Sequence, residues 1–424
     1  MKFLYLTVLL WLCGCASYTE QTKEVRQLYR QSSYAEALKK LDDLEISKQS
    51  RNRLLFRLEK AMILDRLGER EKSRKLLLEA DKIADDLYTE SVSKVALSFI
   101  YNDSATDYAG EDFEVIAIHT QLALSFLEDD DYKSARVQAK KINNKLSEIN
   151  NRYEDNKNRY QQDAFAMYLA GIIYEQRKEW DDAIIDYRKA LELYKGNYAP
   201  FVFGGMPDQL VVALAKLYKK RSRNQDLKSL EKDHPNLVKK ALDSIEGDTG
   251  EVIVIHEVGS IVTKVTEEFV IGVGSQIIRF SFPSYRQGLR SGWGTSGIRL
   301  KSGRFVTAEN VQDLSQIARY TLEDRRLRMV AKQTARLLAK GQLTEQARQN
   351  FGPLGEFAMN IYSAVSETGD TRSWTSLPAG YFITRATLST GTHKIQIKTN
   401  GVVSEYKTVH VKKGEKLVLR DFLR

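Results

Sequence analysis

The sequence predicts an α+β chain of more than one domain: a helical solenoid in front, and behind it a β-sandwich-like region with a helical insertion. Three observations predict it. Residues up to about 246 are rich in helix formers, with apolar positions at helical spacing. From 247 onward, β-branched alternation, glycines and turn dipeptides take over. Inside that second part, 308–350 returns to helical spacing between two blocks of strand signals. A run of helices followed by a mostly β region argues for separate domains rather than alternating βαβ units. The 424 residues suffice for two or three domains, and 42% hydrophobic with 29% charged residues is the composition of a globular protein.

The first residues come before both parts. Lys2 is followed by an apolar run from Phe3 to Cys13, broken only by Thr7. The run is about half of the roughly 20 residues that cross a bilayer, so 1–14 reads as an export signal. Leu12-Cys13-Gly14-Cys15 sets Leu at −3, Gly at −1 and Cys at +1 of a cut before Cys15. Bacterial lipoprotein signals resemble this segment. The resemblance implies acylation of Cys15 with palmitate-type chains. Ala16, in place of an acidic residue, implies sorting to the outer membrane, lipid-anchored and facing the periplasm. Acyl chains add roughly 0.8 kcal/mol of membrane binding per buried methylene. Cys13 leaves with the signal and Cys15 is consumed by the lipid, so the mature chain is expected to hold no free thiol. That excludes disulfide scaffolds, cysteine-ligated zinc and thiol nucleophiles.

After a linker over 15–23, the solenoid is expected over 24–246. Its clearest unit is AFAMYLAGIIYEQRKEWDDAIIDYRKALELYKG, residues 164–196. Small residues at Gly171, Ala183 and Ala190 let two helices approach closely, and Tyr174 and Tyr187 fill the space between them. The unit resembles the tetratricopeptide repeat, a helix-turn-helix of 34 residues, and departs from it at Lys195, where that family has proline. Weaker copies align on the small residues Ala37, Ser73 and Ala135, which with Ala183 lie 36, 62 and 48 residues apart. The array is therefore irregular. Asn143 to Gln162 is a polar stretch that lengthens one unit. Met206 to Arg223 continues the solenoid, and Leu237 to Ile245 caps it. Stacked helix pairs build a superhelix with a concave groove that usually holds a protein partner. The alternative is a scaffold and nothing more.

The second region, 247–424, begins with the buried-strand run Glu251 to His256 after a Gly-Asp-Thr-Gly turn. Further strands are expected at 261–273, 276–282, 381–388, 393–399, 406–411 and 416–420. Asn400-Gly401 between alternating segments is a strong hairpin signal. The stretch 287–303 reads as loop, and about 308–366 as the helical insertion. Helical repeats, the Gly250-Glu251-Val252-Ile253-Val254 strand and the Asp370-Thr371-Arg372-Ser373-Trp374 and Leu377-Pro378-Ala379 elements together resemble an uncharacterised family of bacterial lipoproteins. The resemblance implies the architecture and no activity. Where that family carries a Gly-Leu-x-Pro-like segment, this chain has Gly259-Ser260-Ile261-Val262.

Catalytic patterns are absent. His119, His234, His256, His393 and His410 form no zinc-type cluster. Gly272-Val273-Gly274 opens no helix, and there is no phosphate loop or nucleophile elbow. Glu128 to Asp131 lacks the ligand spacing of a calcium loop. An enzyme is not expected, nor a metal or cofactor. A net charge of +9 is modest at this length and does not point to nucleic acid. Lys216 to Arg223 ends a helix, where cations complement the dipole. Several cations from Arg325 to Lys340 share one helical face, which reads first as a solvated face and otherwise suits anionic lipid headgroups, glycan-linked phosphate or an acidic partner. Arg372 and Trp374 are candidate contact residues beside Tyr174 and Tyr187. Trp374 reads either as an anchor for the insertion or as a stacking surface for sugar or peptide. The resulting expectation is a lipid-anchored adaptor in envelope assembly that binds a protein partner through its groove. The alternative is a module that recognises peptidoglycan through the β-rich region.

Overall fold

Every helical pair of the front half is closed by the same backbone turn. The computed structural model describes residues 18–93, 106–151, 157–245, 247–273, 276–285, 293–325 and 370–422. A helical turn at Tyr18–Gln21 precedes α1 (Lys23–Arg30) and α2 (Tyr34–Asp43). Next come α3 (Arg53–Arg66) with α4 (Arg70–Ser93), and α5 (Asp112–Glu128) with α6 (Tyr132–Asn151). Then follow α7 (Ala164–Gln176) with α8 (Trp180–Lys195), α9 (Asp208–Lys220) with α10 (Asn224–Asp233), and α11 (Pro235–Asp243).

In each pair the residue that ends the first helix has positive φ: Ser32, Gly68, Asp130, Lys178 or Ser222. The N–H of the next residue donates to the carbonyl of Leu28, Leu64, Phe126, Tyr174 or Tyr218 at 2.9–3.0 Å. This Schellman closure satisfies carbonyls that a helix end leaves open. Five residues after the turn stand the small residues Ala37, Ser73, Ala135 and Ala183, all buried. The spacing legible in the sequence is thus the spacing of the turns. The fifth pair, α9 with α10, extends the array with Leu227 at that position.

The second half is a pair of packed sheets. One sheet has the order β11-β1-β7-β6: β1 (Thr249–Val258) pairs parallel with β11 (Lys416–Phe422) and antiparallel with β7 (Gly380–Ser389), which carries β6 (Glu309–Asp313). The other has the order β10-β8-β4-β5: β10 (Lys407–Val411), β8 (Gly391–Thr399), β4 (Gly297–Leu300) and β5 (Phe305–Thr307), with β9 (Val402–Val403) on β8. A separate hairpin joins β2 (Lys264–Val273) to β3 (Gln276–Tyr285). Strands from both ends of the region share one sheet, as expected.

Two expectations are corrected. Residues 297–300, read as loop, and 309–313, read as the start of the insertion, are strands, a further short strand at 305–307 lies between them, and the helix begins at 314. Polar β6 is held from outside by β7 and by the solenoid, which its local pattern does not reveal. Part of the expected linker is helical and docked, with Thr19 Oγ1 donating to the Thr371 carbonyl at 2.9 Å. The signal, Cys15 and residues 326–366 of the insertion lie outside the described residues, and with them the basic stretch after Arg325.

The period of two along a strand gives the first sheet two different faces. Val252 and Val254 of β1 and Ala386 and Leu388 of β7 pack on Ile298, Ile395, Ile397, Val409 and Val411 of the second sheet. Ile253 and Ile255, with Tyr381 and Ile383, join the solenoid core instead. The chain is therefore three layers: helices, sheet, sheet. The middle sheet covers the face formed by the first helices of the pairs.

Candidate functional site

The sheet meets the solenoid through charges as well as apolar side chains. Glu251 and Glu257 share the solenoid face of β1, being an even number of residues apart. Arg385 of β7 donates to Glu251 at 2.6 Å, to Glu175 of α7 at 2.7 Å and to the Tyr187 hydroxyl at 3.0 Å. Lys416 of β11 bridges the same two carboxylates at 2.7 and 3.0 Å. Burial alone would raise the pKa of Glu251, but Arg385 and Lys416 hold it well below the usual range. In a second network, Arg420 of β11 reaches Glu257 at 2.9 Å, Asp65 of α3 at 3.0 Å and Glu128 of α5 at 2.9 Å. Arg66 of α3 pairs with Glu257 as well. Burial pushes the Glu257 carboxyl up, and Arg420 and Arg66 overcome that and bring it down to about 2. A carboxylate held this way is a weak base at neutral pH.

Each of the four expected contact residues is inside. Tyr187 and Trp374 are 0% exposed, Tyr174 is 3% and Arg372 is 5%. Tyr187 lies over Gly171, where a Cβ would stand 2.2 Å from its ring. Tyr174 packs beneath the cations of Arg136 and Lys140 at 5.6 and 5.5 Å. Arg372 donates to Asp370 at 2.7 Å, to Asn52 at 3.1 Å and to the Thr106 carbonyl at 3.0 Å. The Trp374 backbone N–H donates to Glu114 at 2.7 Å and its indole N–H to Ser376 at 3.0 Å. Arg372 and Trp374 join segment 370–379 to the solenoid, and Tyr187 joins β7 to it, whereas Tyr174 packs between helices. In this arrangement they present no surface to a partner or a sugar. The histidines also stay apart: buried His256 bonds Thr384 and Thr399, whereas His393 and His410 sit at the edge of the second sheet. Among the described residues no group of His, Cys, Asp and Glu is placed to hold a metal. None of the described helices is long and apolar enough to cross a membrane.

One part of the solenoid stays open. Where β11 ends against the turns of the first three pairs, a cleft of about 520 Å³ is lined by Tyr34, Arg66, Gly68, Arg70, Glu128, Lys407 and Phe422. A second hollow of about 260 Å³ adjoins it, sharing Tyr34, Arg66 and Phe422 and adding Tyr29, Pro378 and Val402. The Phe422 ring lies 4.0 Å from the Arg66 guanidinium, so it is a fixed floor. β11 is an edge strand, with no strand on its outer side among the described residues. Sequence reasoning missed this cleft because its walls lie almost 400 residues apart. Tyr29 and Tyr34, which flank a turn, are the only local signal.

Residues 164–197 match the tetratricopeptide repeat family. The helical half also aligns with solved structures at low identity. BtubC (BKLC) from P. vanneervenii is 18% identical over 54% of this chain and 77% of that one, with a TM-score of 0.32. MamA of AMB-1 is 15% identical over 53% and 90%, at 0.32. The apo form of RapI is 16% identical over 54% and 72%, at 0.34. Scores of this size carry no argument about overall architecture. The repeat assignment rests on the family match and on the five identical turns. No curated protein matches the chain. The chain is an α+β protein, a tetratricopeptide-like solenoid followed by a strand-rich region. Such a fold suits an adaptor or scaffold for other proteins.

Proposed function

We propose that this chain is a lipid-anchored envelope lipoprotein, tethered through Cys15 at the outer membrane and facing the periplasm, that acts as a non-enzymatic adaptor. Its partner contributes an extended segment that lies in the cleft beside β11. One observation carries this reading: the cleft on the solenoid face is bordered by β11, which has no strand on its outer side among the described residues. Backbone groups on such an edge supply affinity by strand addition, and flanking pockets supply selectivity. Here Tyr34, Phe422 and Lys407 would read alternate side chains. The peptidoglycan reading loses the support of Trp374, which is buried, and keeps the basic stretch after Arg325, which lies outside the described residues, and the expected location.

The test is a random peptide library selected on the chain from Ala16 onward, which holds every described residue. Selected peptides are expected to slow hydrogen exchange at the amides of 416–422 and to lose binding in Tyr34→Ala and Phe422→Ala. Peptides that bind both variants equally and leave β11 unprotected would sink the reading. The address is tested separately. Cys15→Ala is expected to move the chain from the membrane fraction to the soluble fraction.

A further inference from the structure

We infer that the outer face of the second sheet is a docking surface for an anionic lipid bilayer. The strands β4, β5, β8, β9 and β10 contain no Asp or Glu, and they carry Arg299, Lys394, Lys398 and Lys407. Strand alternation sorts these charges. Ile395 and Ile397 point into the sandwich, so Lys394, Gln396 and Lys398 point out. Register places Arg299 opposite Gln396 and Gly297 opposite Lys398. The Lys301 N–H donates to the Lys394 carbonyl at 3.2 Å, which seats these two cations across from each other. Arg299, Lys301, Arg304 and Lys394 are exposed. Among the described residues none of them, nor Lys398, is in an ion pair. Like charges opposite each other on a sheet are destabilising, and here no carboxylate offsets them.

The shape selects the occupant. The cations are spread over two neighbouring strands, β4 and β8, with another strand on each side. A planar array of point charges fits a planar array of phosphates better than it fits one small ligand. The rim of the same sheet carries exposed apolar side chains on either side of Ser404 and Glu405. Val402, Val403 and Tyr406 are 52, 47 and 51% exposed, and Val403 pairs with Lys398. Exposed valines and a tyrosine beside lysines are the residues that enter a headgroup layer. Arg299, Lys301 and Lys394 lie on the face of the sandwich turned away from the first sheet, whereas Val402 and Lys407 also line the hollows beside β11. The inference is independent of the lipid anchor and of the adaptor reading.

The experiment uses the chain from Ala16 onward, which lacks the acylated cysteine. It is sedimented with vesicles of phosphatidylethanolamine and phosphatidylglycerol, with phosphatidylcholine vesicles, and with purified sacculi. Binding is expected to the anionic vesicles alone and to fade at high salt. The triple variant Arg299→Gln, Lys301→Gln, Lys394→Gln is expected to bind at least tenfold more weakly, at roughly fivefold per cation removed. Lys232→Gln with Lys239→Gln, on exposed helix positions, is expected to bind like the parent. Thermal melts check that every variant folds. Equal binding to neutral vesicles, parent-like binding by the triple variant, or binding to sacculi alone overturns the inference.

Discussion

At the scale of single residues, two positions show how the sequence controls packing. Gly171 lets α7 and α8 close on the Tyr187 ring, and no Cβ fits there. Alanine is the better helix former by about 1 kcal/mol, so steric cost and propensity oppose each other. Overpacking of a rigid ring costs about 1–3 kcal/mol. Gly171→Ala is therefore expected to destabilise the chain, by about 1–2 kcal/mol in a urea titration, even though it improves helix propensity. The sequence indicated this pair of residues directly, through their types and spacing. Glu114 was silent there. It is wholly buried, and burial raises its carboxyl from the usual 4.5 to about 7 against the pull of Lys264. A raised carboxyl favours the protonated form in the fold. The stability it contributes is full below about pH 4.5 and is lost as pH rises through 7. At about 1.4 kcal/mol per tenfold in proton affinity, the loss is about 3 kcal/mol. Glu114→Gln is expected to remove this slope from stability measured between pH 5 and 8. An unchanged slope would show that another group titrates.

At the scale of elements, the repeated turn was the most legible feature and the short strands were the least. Small residues mark the turns because two helices must approach there, and that demand is local. Four of the five turn residues are not glycine and still adopt positive φ, a conformation that side chains resist. Lys178 is one of them, at φ 64. Lys178→Gly is expected to stabilise the chain by about 0.5–1 kcal/mol, visible as a higher midpoint in denaturant. A lower midpoint would mean that the Lys178 side chain contributes more than its backbone strain costs. β6 shows the opposite case. Its Gln312 side chain donates to Asp163 at 2.7 Å and to the Tyr198 hydroxyl at 2.6 Å, and its Asn310 side chain accepts from the Phe203 N–H at 2.8 Å. Glu-Asn-Val-Gln-Asp has no apolar alternation to read. It is a strand because distant groups satisfy its polar side chains.

At the scale of the whole molecule, the solenoid and the first sheet share one core, so the two halves are not independent bodies. Arg420 is central to their joint, since it faces carboxylates from α3, α5 and β1. Removing one partner of a buried pair leaves uncompensated charge and costs about 3–5 kcal/mol. Arg420→Ala is expected to lose that much at neutral pH. The loss should shrink toward pH 4 as the orphaned Glu257, no longer held down by Arg420, takes up a proton. Helix signal and tryptophan fluorescence should still melt together, because Trp374 lies in the shared core and Trp180 packs against it. Separate melting of the two signals would contradict a shared core.

The sequence by itself determined the repeat, its irregular spacing, the order of helices before strands and the small residues that seal four of the five helical pairs. These depend on neighbours within about 40 residues, whose periodicity a chain must display. The tertiary structure alone decided what the solenoid face holds. A groove that the repeat pattern offers to a partner is filled in large part by the chain's own sheet, through Arg385, Arg420 and Trp374. Those contacts join residues 210 to 355 positions apart, and no local pattern records such pairs. The burial of Tyr174, Tyr187, Arg372 and Trp374 follows from that closure, and so does the cleft left open at β11.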